Sequence, residues 1–165
     1  METYITYIIS AFPGCGKTYA TRMFGDKVKI MDSDSSTFDK SGFPENYVKH
    51  IEDCIGKCDI LFVSSHYEVR ELLDKLKLQY TLFYPSVERR DEFLTNYVAR
   101  RSSPELIKKI DHNFMTWIDN IDNEESEYCQ RIKLSSFGQF IGNEQHFRDL
   151  IDEIVQSKEA RQQAD

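Results

Sequence analysis

The chain has 165 residues, with 21 Lys plus Arg against 28 Asp plus Glu and a net charge of −7. That length suits a single domain, residues 1–165, with a real core, since a chain of this size buries about 70% of its unfolded surface. The acidic balance argues against a surface that holds nucleic acid by electrostatics alone, so no stable nucleic-acid binding is expected. No apolar run approaches the roughly 18 residues that span a bilayer, and the first predicted strand begins by Tyr4, which leaves no room for a signal peptide. Four cysteines, Cys15, Cys54, Cys58 and Cys129, form no disulfide framework. A cytoplasmic protein without a membrane partner is expected, its oligomeric state open between monomer and homodimer.

In chain order, the apolar run Tyr4 to Ser10 predicts a first strand. It leads into Ala11-Phe-Pro-Gly-Cys-Gly-Lys-Thr18, and then a helix from about Gly16 to Phe24 that stops at Gly25, a residue suited to a left-handed cap. Strand, glycine-bearing loop, Lys-Thr and helix is the phosphate-binding, or Walker A, pattern. Backbone N–H groups and the positive end of the helix converge there on a polyphosphate. Pro13, Gly14, Cys15, Gly16, Lys17, Thr18 and Tyr19 are the candidate triphosphate contacts. Lys17 supplies a point charge and Thr18 a hydroxyl for magnesium. The motif wants glycine where Ala11 stands, a departure that removes no phosphate-facing N–H.

A second strand, Val28 to Asp32, runs into Ser33-Asp34-Ser35-Ser36 and a loop over 35–44. A helix over Glu45 to Ile55 ends near Gly56, a third strand spans Ile60 to Val63, and a helix follows from about Glu68 to Leu76. Tyr80 to Tyr84 makes a fourth strand ended by Pro85. The alternation then breaks into two consecutive helices, Val87 to Arg101 and one carrying Leu106, Ile110, Phe114, Trp117 and Ile121 at helical spacing. Ser102-Ser-Pro-Glu105 between them reads as a capping box with proline in the first turn. Asp119 to Glu127 reads as a solvated connection. A fifth strand near Gln130 to Leu134, a loop over 135–142, a helix from about Glu144 to Gln156 and a polar tail over 157–165, expected to fray, complete the chain. Alternating strands and helices imply an α/β fold with a parallel sheet and helices on both faces, and ligands at the carboxyl ends of the strands.

Two clusters carry chemistry. The third strand ends Phe62-Val-Ser-Ser-His66, without the acid that holds magnesium in switch and motor NTPases, whereas the second ends in Asp32-Ser-Asp34. If the backbone stays extended these two carboxylates share a face: Asp32 would hold a magnesium-bound water, and Asp34 would face an acceptor. The other reading of Asp-Ser-Asp is a turn or helix cap. The second cluster is Arg89, Arg90, Arg100 and Arg101. Arg89 and Arg100 are eleven residues apart, close to three helical turns, so one helix could present both as an arginine lid over a transferring phosphoryl group. The alternative is a solvated helix balanced by Glu88, Asp91 and Glu92.

These features together, Ala-x-x-Gly-x-Gly-Lys-Thr, Asp-x-Asp-Ser-Ser, an arginine-bearing helical insertion after the fourth strand and a small-residue loop after the fifth, resemble the nucleoside monophosphate kinase and shikimate kinase group of P-loop kinases. Phe43-Pro-Glu-Asn-Tyr47, Val63-Ser-Ser-His66 and Tyr97-Val-Ala-Arg-Arg101 further resemble the small nucleotide kinases of bacteriophages. The resemblance implies a three-layer P-loop NTPase fold with sheet order 2-3-1-4-5 and residues 86–120 as a helical lid. It also implies ATP and Mg2+ as cofactors, and a location in the host cytoplasm if the chain is phage-encoded. Gly138, Gln139 and Phe140 would lie at the adenine. The acceptor would sit between the helix over Glu45 to Ile55 and the helix after the third strand, near Phe43, Asn46, His66, Arg70 and Arg101. The Asp-Gly-hydrophobic-Pro-Arg motif of adenylate kinases is replaced by Ser64-Ser-His-Tyr-Glu-Val-Arg70.

Taken singly, His66 at a strand end is a candidate donor to the acceptor, and Arg70, one turn on, a phosphate clamp. His50, Cys54 and Cys58 stand four apart, too far end to end for one ion, so at most a pair could serve a metal, and the cysteines read as core residues. Cys15 at a helix start is expected to have a lowered thiol pKa and to be sensitive to oxidation. The leading expectation is phosphoryl transfer from ATP to a nucleoside or deoxynucleoside monophosphate, with Lys17, Asp34, Arg89 and Arg100 as catalytic residues and Thr18 and Asp32 on magnesium. The alternatives are a kinase acting on a hydroxyl acceptor, and a nucleotide-binding NTPase without transfer.

Overall fold

The computed structural model describes residues 5–164. Five parallel strands, β1 (Tyr7–Ala11), β2 (Ile30–Asp32), β3 (Ile60–Ser64), β4 (Tyr80–Pro85) and β5 (Cys129–Leu134), form one sheet in the order β2-β3-β1-β4-β5. The order expected by resemblance is the order found. β1 runs in register between β3 and β4, with Ala11 beside both Ser64 and Phe83, so the loop leaving β1 emerges at the middle of the sheet's carboxyl edge. The strand order reverses there, between the branch through β3 and the branch through β4, and a crevice opens. The central strands are buried along nearly their whole length, as a parallel sheet covered on both faces requires.

Helices α1 (Lys17–Phe24) and α6 (Gln145–Ala164) cover one face: Phe147 of α6 packs on Phe24 and meets Phe62 and Phe83 from the sheet, each 6.3 Å away between ring centroids. The opposite face takes α2 (Glu45–Cys54), α3 (Tyr67–Lys75) and α5 (Pro104–Asn123), tied to it through Tyr80 Oη on Asp74 of α3 and Tyr84 Oη on Asp122 of α5. The remaining helix, α4 (Arg90–Ala99), packs against α5. Ser103 caps α5, its Oγ accepting from the Leu106 amide at 3.2 Å, and Pro104 stands in the first turn. No helix among the described residues is long and apolar enough to cross a membrane.

Several boundaries differ from expectation, each for a local reason. Part of the predicted first strand, at Tyr4, lies outside the described residues. Gly25 is right-handed, with φ −65°, because its amide bonds back to Thr21 O at 2.8 Å and the chain leaves as a tight turn. Pro85 belongs to β4, paired with Leu134, rather than ending the strand before it. The acidic stretch over 119–127 is not a solvated connection: α5 continues to Asn123, Asp122 accepts from Tyr84 and pairs with Lys133, and Glu124 pairs with Arg70. The polar tail, expected to fray, continues α6 to Ala164, and Lys158 reaches the buried Asp59. A charged residue is not a solvated one when a partner lies across the fold.

Candidate active site

The loop over 11–18 is shaped by two glycines. Gly14 and Gly16 have φ of +90° and +95°, and alternating left-handed positions turn successive N–H groups towards a common centre. The amides of Lys17 and Thr18, in the first turn of α1, have no intrahelical acceptor, as at any helix start. The Cys15 amide bonds instead to Phe12 O at 3.2 Å, so this member of the expected triphosphate contacts is committed within the loop. Its thiol corrects the expectation of a reactive cysteine. Burial pushes its pKa up to about 12, outweighing the cations Arg89 and Lys17 nearby, and Sγ faces Phe83 O. Ala11 sits in β1 with no positive φ, which explains why the missing first glycine leaves the turn intact.

A cleft of about 1400 Å³ opens over this loop. Pro13 through Tyr19, Asp32, Asp34, His66 and Arg70 all line it. Lys17 Nζ lies 3.4 Å from Asp32 Oδ1, so the two ends of the predicted phosphate site are in contact across the β1–β2 gap. Asp34 accepts from the Ser36 amide at 2.9 Å, capping a short 3-10 turn over Ser35–Thr37. Those hydrogen bonds from Ser36, backbone first, hold its carboxyl below the usual range. The turn-cap reading of this segment is realised, and Asp34 also lines the cleft. Thr18 and Asp32, both exposed in the cleft, offer a hydroxyl and a carboxylate, the hard oxygen donors that magnesium takes alongside phosphate oxygens and water, so the donor set fits that ion.

The arginine cluster divides. Arg89, expected in the lid, is 3% exposed and forms a two-pronged pair with Glu92, 2.7 Å on each prong. Its Nη1 donates to Leu134 O and Gln139 O, and its guanidinium stands 5.0 and 5.1 Å from the ring centroids of Phe93 and Phe140. It fastens α4 to the loop after β5 and does not line the cleft. Arg90 pairs with Asp111, and Arg101, left-handed at φ 60°, is exposed away from the cleft. Arg100 alone of the four lines the cleft, its guanidinium 5.1 Å over the Tyr97 ring. The spacing argument presumed one helix from Val87; a 3-10 turn over Val87–Arg89 precedes α4 and breaks that phase.

Phe140, placed at the adenine by resemblance, is instead packed on Phe93 and close to Gly16, where a Cβ would stand 3.0 Å from Phe140 Cβ. Gln139 turns its side chain onto the Ser136 amide. None of Gly138, Gln139 and Phe140 lines the cleft; the exposed aromatic of that loop is Phe137. Phe43 and Asn46 likewise stand outside the cleft, Phe43 edge-on to His66 at 5.8 Å and Asn46 donating to Asp39 O. His66 has its pKa lowered by partial desolvation and then by the cations Lys109 and Arg70. Arg70, buried, donates to Ser65 O and pairs with Glu124. The cleft's other wall, missed by sequence reasoning, is α5, through Leu106, Lys109, Ile110, Trp117 and Asn120. A helical stripe reads as core from spacing alone, and only the placement of α5 over the crevice shows part of it facing a cavity.

Tyr97 was also unforeseen as a site residue. Fully buried, it donates its hydroxyl to Pro13 O, and its ring would stand 2.8 Å from a Cβ on Gly14. α4 is thus pinned to the loop over 11–18. His50 Nε2 faces Cys54 Sγ at 3.6 Å while Cys58 lies beyond the end of α2, and no group of three metal-ligating side chains occurs among the described residues. No protein-family model matches the chain, and no curated protein matches it.

Proposed function

We propose that the chain transfers the γ-phosphoryl group of ATP, with magnesium, to a nucleoside or deoxynucleoside monophosphate. The observation that carries this reading is the gathering of Lys17, Thr18, Asp32 and Arg100 around one cleft, beside a β3 end that carries Ser64-Ser65-His66 and no acid. Magnesium, held through Thr18 and Asp32, would neutralise charge on the donor's β- and γ-oxygens. Lys17 binds the same oxygens as a point charge. Arg100, which lies over the Tyr97 ring and lines the cleft, would meet the negative charge that spreads over the moving group. An acceptor phosphate oxygen attacks phosphorus, the bridging bond to ADP breaks, and no proton has to be removed.

That last point separates the phosphate acceptor from the hydroxyl acceptor. A hydroxyl needs a base, and Asp34, with Oδ1 accepting from the Ser36 amide and a lowered pKa, is a weak one. An acceptor panel of ribo- and deoxynucleoside monophosphates, nucleosides and shikimate-like metabolites, assayed for ADP release, tests the reading. Turnover is expected with monophosphates, and Lys17→Ala should lower it by about a hundredfold or more with the melting temperature unchanged. Full activity without Lys17, or ATP hydrolysis indifferent to every acceptor, would sink it.

A further inference from the structure

If ATP occupies the loop over 11–18, the acceptor's phosphate has to be held by other groups, a requirement that rests on the transfer reaction proposed above. Five lysine and arginine side chains line the cleft, Lys17, Arg22, Arg70, Arg100 and Lys109, and four of them belong elsewhere. Lys17 contacts Asp32 beside the loop, and Arg70 is taken by Glu124 and Ser65 O. Arg100 lies over Tyr97, whose hydroxyl is on Pro13 O of the same loop. Arg22 belongs to α1, which covers the other face of the sheet.

Lys109 is the uncommitted one. It stands exposed on α5 and enters no ion pair among the described residues, although Glu105 lies one turn before it. Partial desolvation lowers the pKa of His66, and Lys109 lowers it further while Glu68 opposes, so the field of this ammonium falls on the turn between β3 and α3. The backbone of that turn is fixed: the His66 amide donates to Ser64 Oγ at 3.2 Å, and Ser65 O accepts from Arg70 Nε at 2.9 Å. Its two side chains are free to bind. The Ser65 hydroxyl and the His66 ring line the cleft, and neither has a hydrogen-bond partner among the described residues; the ring meets Phe43 edge-on.

The three groups are all donors: an ammonium, a neutral imidazole with one N–H, and a hydroxyl. A phosphate monoester accepts such bonds on its outer oxygens, most strongly from the ammonium. Glu68 also lines the cleft and opposes Lys109 at His66, so an anion is held there only through Lys109. Ala11 pairs with Ser64, so the turn starts beside the loop over 11–18, and a phosphate at the turn neighbours the donor site as direct transfer requires. We infer that Lys109, with the Ser65 hydroxyl and the His66 ring, holds the phosphate of the acceptor monophosphate at the turn between β3 and α3. Lys109 thereby takes the task that spacing assigned to Arg70, whose guanidinium is spent on Glu124.

The full chain, saturated with a non-hydrolysable ATP analogue and magnesium, is titrated by calorimetry with AMP, GMP, dCMP and dTMP and with the matching nucleosides. At least one monophosphate is expected to bind about tenfold or more tighter than its nucleoside, the scale of hydrogen bonds between charged groups. Lys109→Ala should shrink that ratio to about threefold or less. Because Lys109 is exposed and unpaired, nucleoside affinity, ATP-analogue affinity and melting temperature should stay at their wild-type values. Lys109→Arg, which keeps the charge, should restore most of the ratio, and Ser65→Ala should lower it by about threefold. Arg22→Ala, on the other face, should leave it intact. No monophosphate preferred over its nucleoside, a ratio unmoved by Lys109→Ala, a loss of ATP-analogue affinity in its place, or an equal loss in Arg22→Ala overturns the inference. Absence of ATP-analogue binding to the wild type removes the transfer reading and the inference with it, whereas analogue binding with a ratio indifferent to Lys109 removes the inference alone.

Discussion

The two ends of α4 carry the same residue type and put it to opposite uses. At its start Arg89 is buried, with every described contact directed inward: two prongs on Glu92, two backbone carbonyls and two aromatic rings. At its end Arg100 is exposed in the cleft with one ring beneath it and a 3.4 Å contact to Ser102. Arginine's planar fork suits both tasks, and what decides between them is whether carboxylate and carbonyl acceptors are already in place around it. The first end fastens α4 to the loop after β5; the second leaves a cation facing the cleft.

This division gives predictions of decreasing size. Arg89→Ala leaves Glu92 near-buried and uncompensated, at a cost of about 3 kcal/mol or more, read as a lower denaturation midpoint with loss of activity following unfolding. The same pair gives a pH signature. The Glu92 carboxyl is held below its ordinary value, first by the Arg89 hydrogen bonds and also by the Gly138 amide. Its contribution is therefore present above the unfolded pKa, near 4.5, and is lost as pH falls through the lower folded value. Melting curves of the wild type should drop more steeply below about pH 4.5 than those of Arg89→Ala. If both variants lose stability in parallel, Arg89 is not the source.

Arg100→Ala should do the reverse of Arg89→Ala, lowering kcat by about a hundredfold with a melting temperature within experimental error of the wild type. A destabilised Arg100→Ala with normal kcat would erase the distinction between the two ends. Tyr97→Phe keeps the ring under Gly14 and removes the hydroxyl from Pro13 O, a loss of about 1 kcal/mol. It should appear partly as a raised KM for ATP, because the carbonyl it holds belongs to the phosphate loop. The smallest effect is expected of Asp34→Asn, about a few-fold in turnover, since an acceptor phosphate needs no base. A fall of several orders of magnitude would favour a hydroxyl acceptor instead.

What was legible and what was not follows from the range of the interactions involved. The shape of the loop over 11–18 was legible because it is local: the two glycines at positive φ and the Lys17-Thr18 start of α1 are neighbours in the chain. Arg89 was misplaced because its partners Leu134 and Gln139 lie 45 and 50 residues away, and no spacing rule reaches that far. Glu124 and Arg70, 54 residues apart, were read as a solvated acid and a phosphate clamp before the fold put them together. Phe140 shows the same limit from the other side. Its loop was rightly placed after β5, yet the ring turned inward onto Phe93 and left Phe137 exposed.

The sequence by itself determined an α/β chain of alternating elements, a break in that alternation after β4, and a glycine-turned loop leading into Lys17-Thr18 after β1, because hydrophobic period and turn chemistry are short-range properties. Tertiary structure alone decided which charged groups face the cleft. A guanidinium or carboxylate is reserved for a ligand only when the folded chain supplies it with no better partner, and that partner is chosen by packing rather than by distance along the chain.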